Sequence, residues 1–288
     1  PANGAACQWH AFSTDRSGKV PVRKKEKTSM DSRIKTIEDL SLNAWPSHQM
    51  QIYDGWILRF SYFYTHRTNS VEQIGPSLLP IPEKVDYCEE IYRQWGTPCI
   101  FKISPLVPSE FDRYLEKRGY EIQHTTHVMT RPLAHASDKS ADVFVTTSSF
   151  IPLKWIEALF ALKGTTNIMH RTIVPSMYRA IPKQTICASV TDDSGTIIAT
   201  GLGILDREYI GLYAIHVHPD YRHRNYARSI CQTILKQGHS LGATKSYLQV
   251  VDGNEAAIHL YQSLGYTRFY TYWFRLKPVA GPASGSPV

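Results

Sequence analysis

The sequence predicts a mixed α/β (α+β) fold in which two mixed sheets, each flanked by helices, follow one another in tandem. Three observations carry that expectation. Stretches with apolar residues at helical spacing are interleaved with β-branched and aromatic stretches, the pattern of a sheet covered by helices. The chain has 288 residues, 42% hydrophobic and 11% aromatic, enough for two ordinary cores. One supersecondary unit also occurs twice.

The repeated unit is a helix, a Gly-Tyr pair and a strand. It reads FDRYLEKRGYEIQHTTHVMTRPL over 111–133 and AIHLYQSLGYTRFYTYWFRLKP over 257–278. Each helix stripe (Phe111, Tyr114, Leu115; Ala257, Leu260, Tyr261, Leu264) meets a glycine at C′, where a left-handed residue ends the helix. A further helix and short apolar strand precede each unit, over 84–104 and 227–251. Shared order and spacing favour duplication over coincidence. The expected halves are 30–135 and 141–278, between tails at 1–29 and 279–288.

In the second half FIPLKWIEALFALKG reads as a helix, and a shorter helix is expected over 173–181. Three strands follow, turning at Asp192–Gly195 and near Asp206–Glu208, the last strand covering 209–217. Helix 226–239, strand 245–251, helix 254–264 and strand 266–276 complete the half.

The net charge is +7, of which residues 1–29 supply +4, so the globular part is only mildly cationic. A solvated, disordered tail is the expectation for 1–29, ahead of a nucleic-acid or acidic-lipid contact; GPASGSPV at the other end is low-complexity. No apolar run reaches about 18 residues, so no membrane span is expected. The first 30 residues lack an apolar h-region, so no secretory signal is expected either. Five scattered cysteines without CxxC spacing indicate reduced thiols and a cytoplasmic protein.

HPDYRHRNYARSICQTIL, residues 218–235, crowds Arg222, His223, Arg224 and Arg228 around a helix start. The helix stripe is Ala227, Ile230, Cys231, Ile234 and Leu235. Cations there oppose the macrodipole at a cost of roughly 0.3–1 kcal/mol each. An anion reverses that sign. A helix N-terminus at the carboxyl end of a strand offers four unpaired N–H groups, and a pyrophosphate answers both features.

VHPDYRHRNYARSI resembles the acyl-CoA-binding signature of the GNAT acetyltransferase superfamily, Q/R-x-x-G-x-G/A, with Arg222, Asn225 and Ala227 at the fixed positions. LQVVDGNEAAIHLYQSLGYTRFYTYWFRL is similar to the segment that follows in that superfamily, where an Asn opens a helix that carries a Tyr and ends in Gly-Tyr. The resemblance implies a GNAT domain at 141–278, a degenerate one before it, and acetyl-CoA as co-substrate with no metal. It implies that Arg222, His223, Arg224, Asn225, Tyr226 and Ala227 hold the pyrophosphate, and that the backbone of Ile215 and Val217 holds the pantetheine. Asn254 would contact the pantetheine arm, and Tyr261 would protonate the departing thiolate.

The same residues have plainer readings. Asn254 is a natural N-cap and Tyr261 a natural core residue. Asn225 stands where the signature has glycine; asparagine is the next most tolerant of left-handed backbone. In the first half NSVEQIGPSLLPIPEKV has no basic loop, and Pro80 and Pro82 remove backbone donors, so CoA is not expected there.

For the base that takes the ammonium proton, Glu208, His216 and His218 are the nearest candidates, with a water chain as the alternative. His216 and His218 lack a third metal ligand. No cysteine sits where a covalent intermediate needs it. The implied function is direct acetyl transfer to an amine, small-molecule or peptide; the alternative is a non-catalytic acyl-CoA-binding or regulatory protein. The aromatic stretch 40–70 is either core or an acceptor wall.

Overall fold

The computed structural model describes residues 22–133 and 143–277. Its first half runs α1 (Val22–Ala44), β1 (Gln49–Tyr53), β2 (Trp56–Phe60), β3 (Val71–Gln73), α2 (Ile81–Gln94), β4 (Ile100–Ile103), α3 (Ser109–Lys117) and β5 (Glu121–Pro132). The second half runs β6 (Thr146–Ser148), α4 (Leu153–Lys163), α5 (Ile168–Arg179), β7 (Gln184–Thr191), β8 (Ile197–Asp206) and β9 (Tyr209–Val217). It closes with α6 (Tyr226–Ser240), β10 (Lys245–Val251), α7 (Glu255–Ser263) and β11 (Thr267–Leu276).

The mixed α/β class holds, but the two expected sheets are one. Eleven strands are joined in the order β1-β2-β3-β4-β11-β5-β10-β9-β8-β7-β6. The antiparallel pair β5–β11 lies near the centre, and four strands follow in matching order in each direction from it, with β6 as an additional edge strand on the side of the second half. Both parallel pairs, β3–β4 and β9–β10, occupy matching places in this pseudo-symmetry. A repeated order of strands is therefore visible in the topology. The last strands are exchanged: β11 pairs with β4 of the first half, and β5 with β10 of the second. Neither half completes its sheet alone.

The helices α6 and α7 cover one face, packed on Ile210, Leu212 and Leu248, and α2 and α3 lie on the same face over Val71, Phe101 and Ile103. On the opposite face α1 lies across the junction of the halves through Ile34, Ile37 and Leu40, with α4 and α5 beside it. The repeated Gly-Tyr corners behave as predicted. Gly119 and Gly265 take φ of +87° and +85°, and the tyrosines that follow them are buried.

Two boundaries differ from expectation. Helix α1 starts at Val22, inside the stretch read as a tail, because its apolar stripe begins only at Ile34 and the preceding turns are charged. Helix α5 starts at Ile168 rather than 173, with Asn167 accepting from the His170 N–H at 3.1 Å; Pro175 falls inside it. Residues 1–21 and 279–288, the rest of the expected tails, lie outside the described residues, as does Cys7. The described cysteines, Cys88, Cys99, Cys187 and Cys231, are free and buried.

Candidate active site

The parallel strands β9 and β10 stay paired only from Tyr209–Lys245 to Leu212–Leu248. Beyond that they part, for two local reasons. A bulge in β9 shifts its register against β8, with Ala214 at φ +50° and its carbonyl held by the Thr200 hydroxyl at 3.1 Å. On its other edge β10 stays in ladder with β5 along its whole length, Lys245–Val251 against Pro132–Thr126, so it does not follow β9 as that strand turns away. The His218 N–H bonds back to Ile198 at 2.8 Å. Strand alternation then turns the amide groups of Val217 and Ile215 the other way, into the opening.

At the end of β9 a 3-10 turn (Pro219–Tyr221) leads into the basic loop. His223 and Asn225 both take φ of +61°, and α6 begins at Tyr226. The glycine position of the signature thus requires left-handed backbone, which Asn225 supplies. The first turn of α6 contains no acidic residue. Arg222, His223, Arg224 and Asn225 are exposed, while Tyr226 and Ala227 are half-buried. Arg222 donates to the Val217 carbonyl at 3.5 Å, Arg224 sits over the Tyr221 ring at 5.5 Å, and Arg228 donates to the Ser263 hydroxyl at 2.7 Å. Among the described residues no carboxylate forms an ion pair with any of the three arginines.

The first half shows the opposite arrangement at the matching place. The loop before α2 is closed by Asp54, whose carboxylate accepts from the N–H groups of Leu78 and Leu79 and pairs with buried Lys84 at 3.1 Å. These main-chain donors, with help from Lys84, hold the Asp54 carboxyl below its ordinary range. β3 and β4 share only the pair Val71–Phe101, and just beyond it Glu72 and Lys102 bridge the strands at 3.2 Å. That opening is closed by the protein's own charges.

The predicted catalytic candidates separate. His216 lies on β9 past the bulge. Burial, reinforced by the Lys163 and Arg222 charges, pulls its imidazole down to about 4. Glu208 is a correction: it starts β9 at the other end of the strand, roughly 25 Å away at a normal rise per residue, and is paired with Lys245 at 3.2 Å. His218 caps the 3-10 turn, its ring nitrogen accepting from the Asp220 N–H at 3.4 Å. Asn254 is the N-cap of α7, accepting from the Ala257 N–H at 3.3 Å.

Tyr261 is 8% exposed, packed in the α6–α7 core, and makes no side-chain hydrogen bond among the described residues. Burial, and secondarily the Cys231 sulfur, raises its phenol well above the ordinary range, so it stays protonated. Burial also lifts the Cys231 thiol to about 12, which removes it as a nucleophile near neutral pH. Among the described residues no cluster of three or more potential metal ligands occurs.

A cleft of about 650 Å³, its open mouth included, lies on the face opposite α6 and reaches Ala214 and His216. Trp45, Tyr64, Arg67, Lys163, Tyr178 and Gln249 line it from both halves. The aromatic stretch 40–70 therefore divides: Trp56 and Phe60 are core, whereas Trp45 and Tyr64 face the cleft. Arg67, Lys163 and Gln249 were not legible as site residues, because no local motif marks them and the strand exchange brings them together.

Parted parallel strands, a bulged strand and a basic loop at a helix N-terminus define the GNAT class of acetyltransferase fold. Residues 31–274 match the family model described as "Probable histone acetyltransferase Rv0428c C-terminal", and the chain belongs to this family within the GNAT superfamily. It is 25% identical over 247 residues to a protein of Bacillus subtilis (strain 168) named uncharacterized N-acetyltransferase YobR, covering 85% of this chain and 98% of that one. A 77-residue stretch is 32% identical to acetyltransferase YPTB2753 of Yersinia pseudotuberculosis, covering 27% of this chain and 55% of that protein. Among solved structures, a GCN5-related N-acetyltransferase from Kribbella flavida shares the fold at a TM-score of 0.63 and 14% identity, over 88% of this chain and 97% of that one. No helix among the described residues is long and apolar enough to cross a membrane.

Proposed function

We propose that the protein transfers an acetyl group from acetyl-CoA directly to an amine, in the cytoplasm, with residues 141–278 carrying the reaction and residues 30–135 forming part of the acceptor wall. The observation that carries this reading is the contrast between two matching loops. The loop before α2 is filled by Asp54, whereas the loop before α6 offers arginines and the first N–H groups of α6, and its own carboxylate, exposed Asp220, faces His218 and pairs with none of those arginines among the described residues. Only the second has unmet demand for an anion.

In this reading Arg222, Arg224 and the first N–H groups of α6 hold the pyrophosphate, and the parted edge of β9 holds the pantetheine amides. The Val217 or Ile215 N–H polarises the thioester carbonyl, a small oxyanion site. Tyr261, kept protonated by burial, gives its proton to the leaving thiolate. The matching is sound because the same burial that raises the phenol penalises the thiolate anion beside it. The buried, high-pKa cysteines support direct attack over a covalent relay. The acceptor class ranges from small-molecule amines to peptide amines, the family being described as a probable histone acetyltransferase.

Calorimetry with acetyl-CoA tests the reading. Arg222→Ala combined with Arg224→Ala should weaken binding by at least tenfold, since a charged hydrogen bond contributes about 1.5–3 kcal/mol. Unchanged affinity overturns it. A second reading, a non-catalytic acyl-CoA binder, is favoured by one observation: with its imidazole at about 4, His216 is a weak base toward an ammonium. Binding without thiol release on any amine supports that second reading.

A further inference from the structure

We propose that the acceptor carries a carboxylate close to its amine, held by Arg67, and an apolar body, as in a hydrophobic amino acid. This rests on the transferase reading above. The fifteen residues that line the cleft include Arg67, Lys163 and His216 but no Asp or Glu. The protein elsewhere answers its buried cations with carboxylates: Arg59 with Glu72, Lys84 with Asp54, Lys102 with Glu38, Arg275 with Asp112. Arg67 is half-buried in the cleft and has no such partner among the described residues.

Among the described residues the Arg67 side chain makes one hydrogen bond, to the Gln249 Oε1 at 3.0 Å. A guanidinium only donates, so this contact fixes the orientation of the amide. The Tyr272 hydroxyl donates to the same oxygen at 2.9 Å, and the Gln249 Nε2 is buried with no acceptor. Lys163 adds a second cation at the rim, donating to the Tyr64 hydroxyl at 3.1 Å above its ring. The site is rich in donors, and none of its lining residues is a carboxylate. A carboxylate takes two parallel N–H bonds from such a fork.

Beside these groups the cleft has a broad apolar wall. Trp45 and Tyr178 pack with ring centroids 4.8 Å apart, and Leu159, Leu202 and Ile204 stand beside them. A lysine-rich peptide would bring positive charge into a cleft with none of the opposite sign, a penalty that selects against it.

Thiol release from acetyl-CoA is compared for phenylalanine, phenylalaninamide, phenethylamine and a lysine-rich peptide. The wild type should favour phenylalanine over phenylalaninamide by at least thirtyfold in kcat/KM. Arg67→Gln should remove that preference, and Arg67→Lys should restore part of it, with acetyl-CoA affinity unchanged throughout. A second measurement needs no turnover: with CoA present, N-acetylphenylalanine should bind at least tenfold more tightly than its carboxamide. Equal binding of the two, equal rates, or preference for the peptide overturns the assignment. Loss of acetyl-CoA binding itself would instead sink the transferase reading, so the two failures are distinguishable.

Discussion

Asp54 and Leu79 are joined by a hydrogen bond of 3.0 Å from the Leu79 N–H to the carboxylate, in the loop that mirrors the basic loop before α6. The carboxylate stands where the other half would hold a phosphate oxygen. Asp54→Ala therefore leaves the Leu78 and Leu79 N–H groups without their acceptor and the buried Lys84 without its counter-charge, although Lys84 keeps its bonds to the residue-54 carbonyl and the Ser77 hydroxyl. The expected result is a lower urea midpoint with unaltered acetyl-CoA affinity. Replacing Lys84 as well, Asp54→Ala with Lys84→Met, should recover much of the stability, since removing both charges is cheaper than stranding one. An Asp54→Ala protein that is as stable as the wild type, or that gains a second CoA site, would contradict this account.

Because the strands are exchanged, the two halves should unfold as one cooperative unit. Arg275 on β11, 5% exposed on its side chain, pairs with Asp112 of α3 at 2.8 Å, so an ion pair crosses between halves beside the β11–β4 ladder. Asp112→Ala should cost about 2 kcal/mol, less than a fully buried pair because Asp112 keeps partial exposure. Burial alone would raise the Asp112 carboxyl, but hydrogen bonds from Arg275 and Trp273 outweigh it and lower it. A depressed acid stabilises the fold above its unfolded value near 4, and that contribution fades as pH falls through the folded value. Urea titrations of wild type and Asp112→Ala should converge at low pH. A single calorimetric transition is expected, and two resolved transitions would show the halves unfolding independently.

Much of this was legible from local sequence, and the exceptions share one cause. β9, β10 and the Gly119 and Gly265 corners follow from periodicity and turn chemistry that act over a few residues. The helix start at Tyr226 was legible because the apolar stripe begins at Ala227, and the turn before it because asparagine tolerates left-handed backbone. The single sheet was not, because antiparallel pairing of β5 with β11 and of β11 with β4 leaves no mark on either strand's own pattern. Arg67 and Gln249 meet only through that pairing: one follows β2 and the other lies on β10. Glu208 was misassigned because proximity in sequence to β9 does not say which end of the strand bears the opening.

His216 sets the expected pH dependence. Its imidazole, pulled to about 4 by burial and by Lys163 and Arg222, is neutral throughout the working range. It can accept a hydrogen bond from the amine but adds no titration between pH 5.5 and 8. The logarithm of kcat/KM should rise with unit slope until the acceptor's own ammonium has deprotonated, with no inflection near 6.5. His216→Ala should lower kcat/KM by up to tenfold without changing the shape of the profile. An inflection between 6 and 7 that vanishes in His216→Ala would establish the imidazole as the general base instead.

The left-handed backbone at Asn225 provides the sharpest test of the loop. At φ +61° glycine is unstrained and asparagine nearly so, while a β-branched residue is strongly disfavoured. Asn225→Gly should keep acetyl-CoA affinity within threefold of the wild type. Asn225→Val must either adopt a strained backbone, at about 1–3 kcal/mol, or refold the loop and turn its N–H groups away from the phosphates. Either course should weaken acetyl-CoA at least tenfold. Retained strain should lower the stability read from the urea midpoint by that same amount, whereas a refolded loop at this exposed N-cap should leave it near the wild type, so binding is compared well below the unfolding transition. Tight acetyl-CoA binding by Asn225→Val would mean that the backbone of this turn is not what holds the diphosphate.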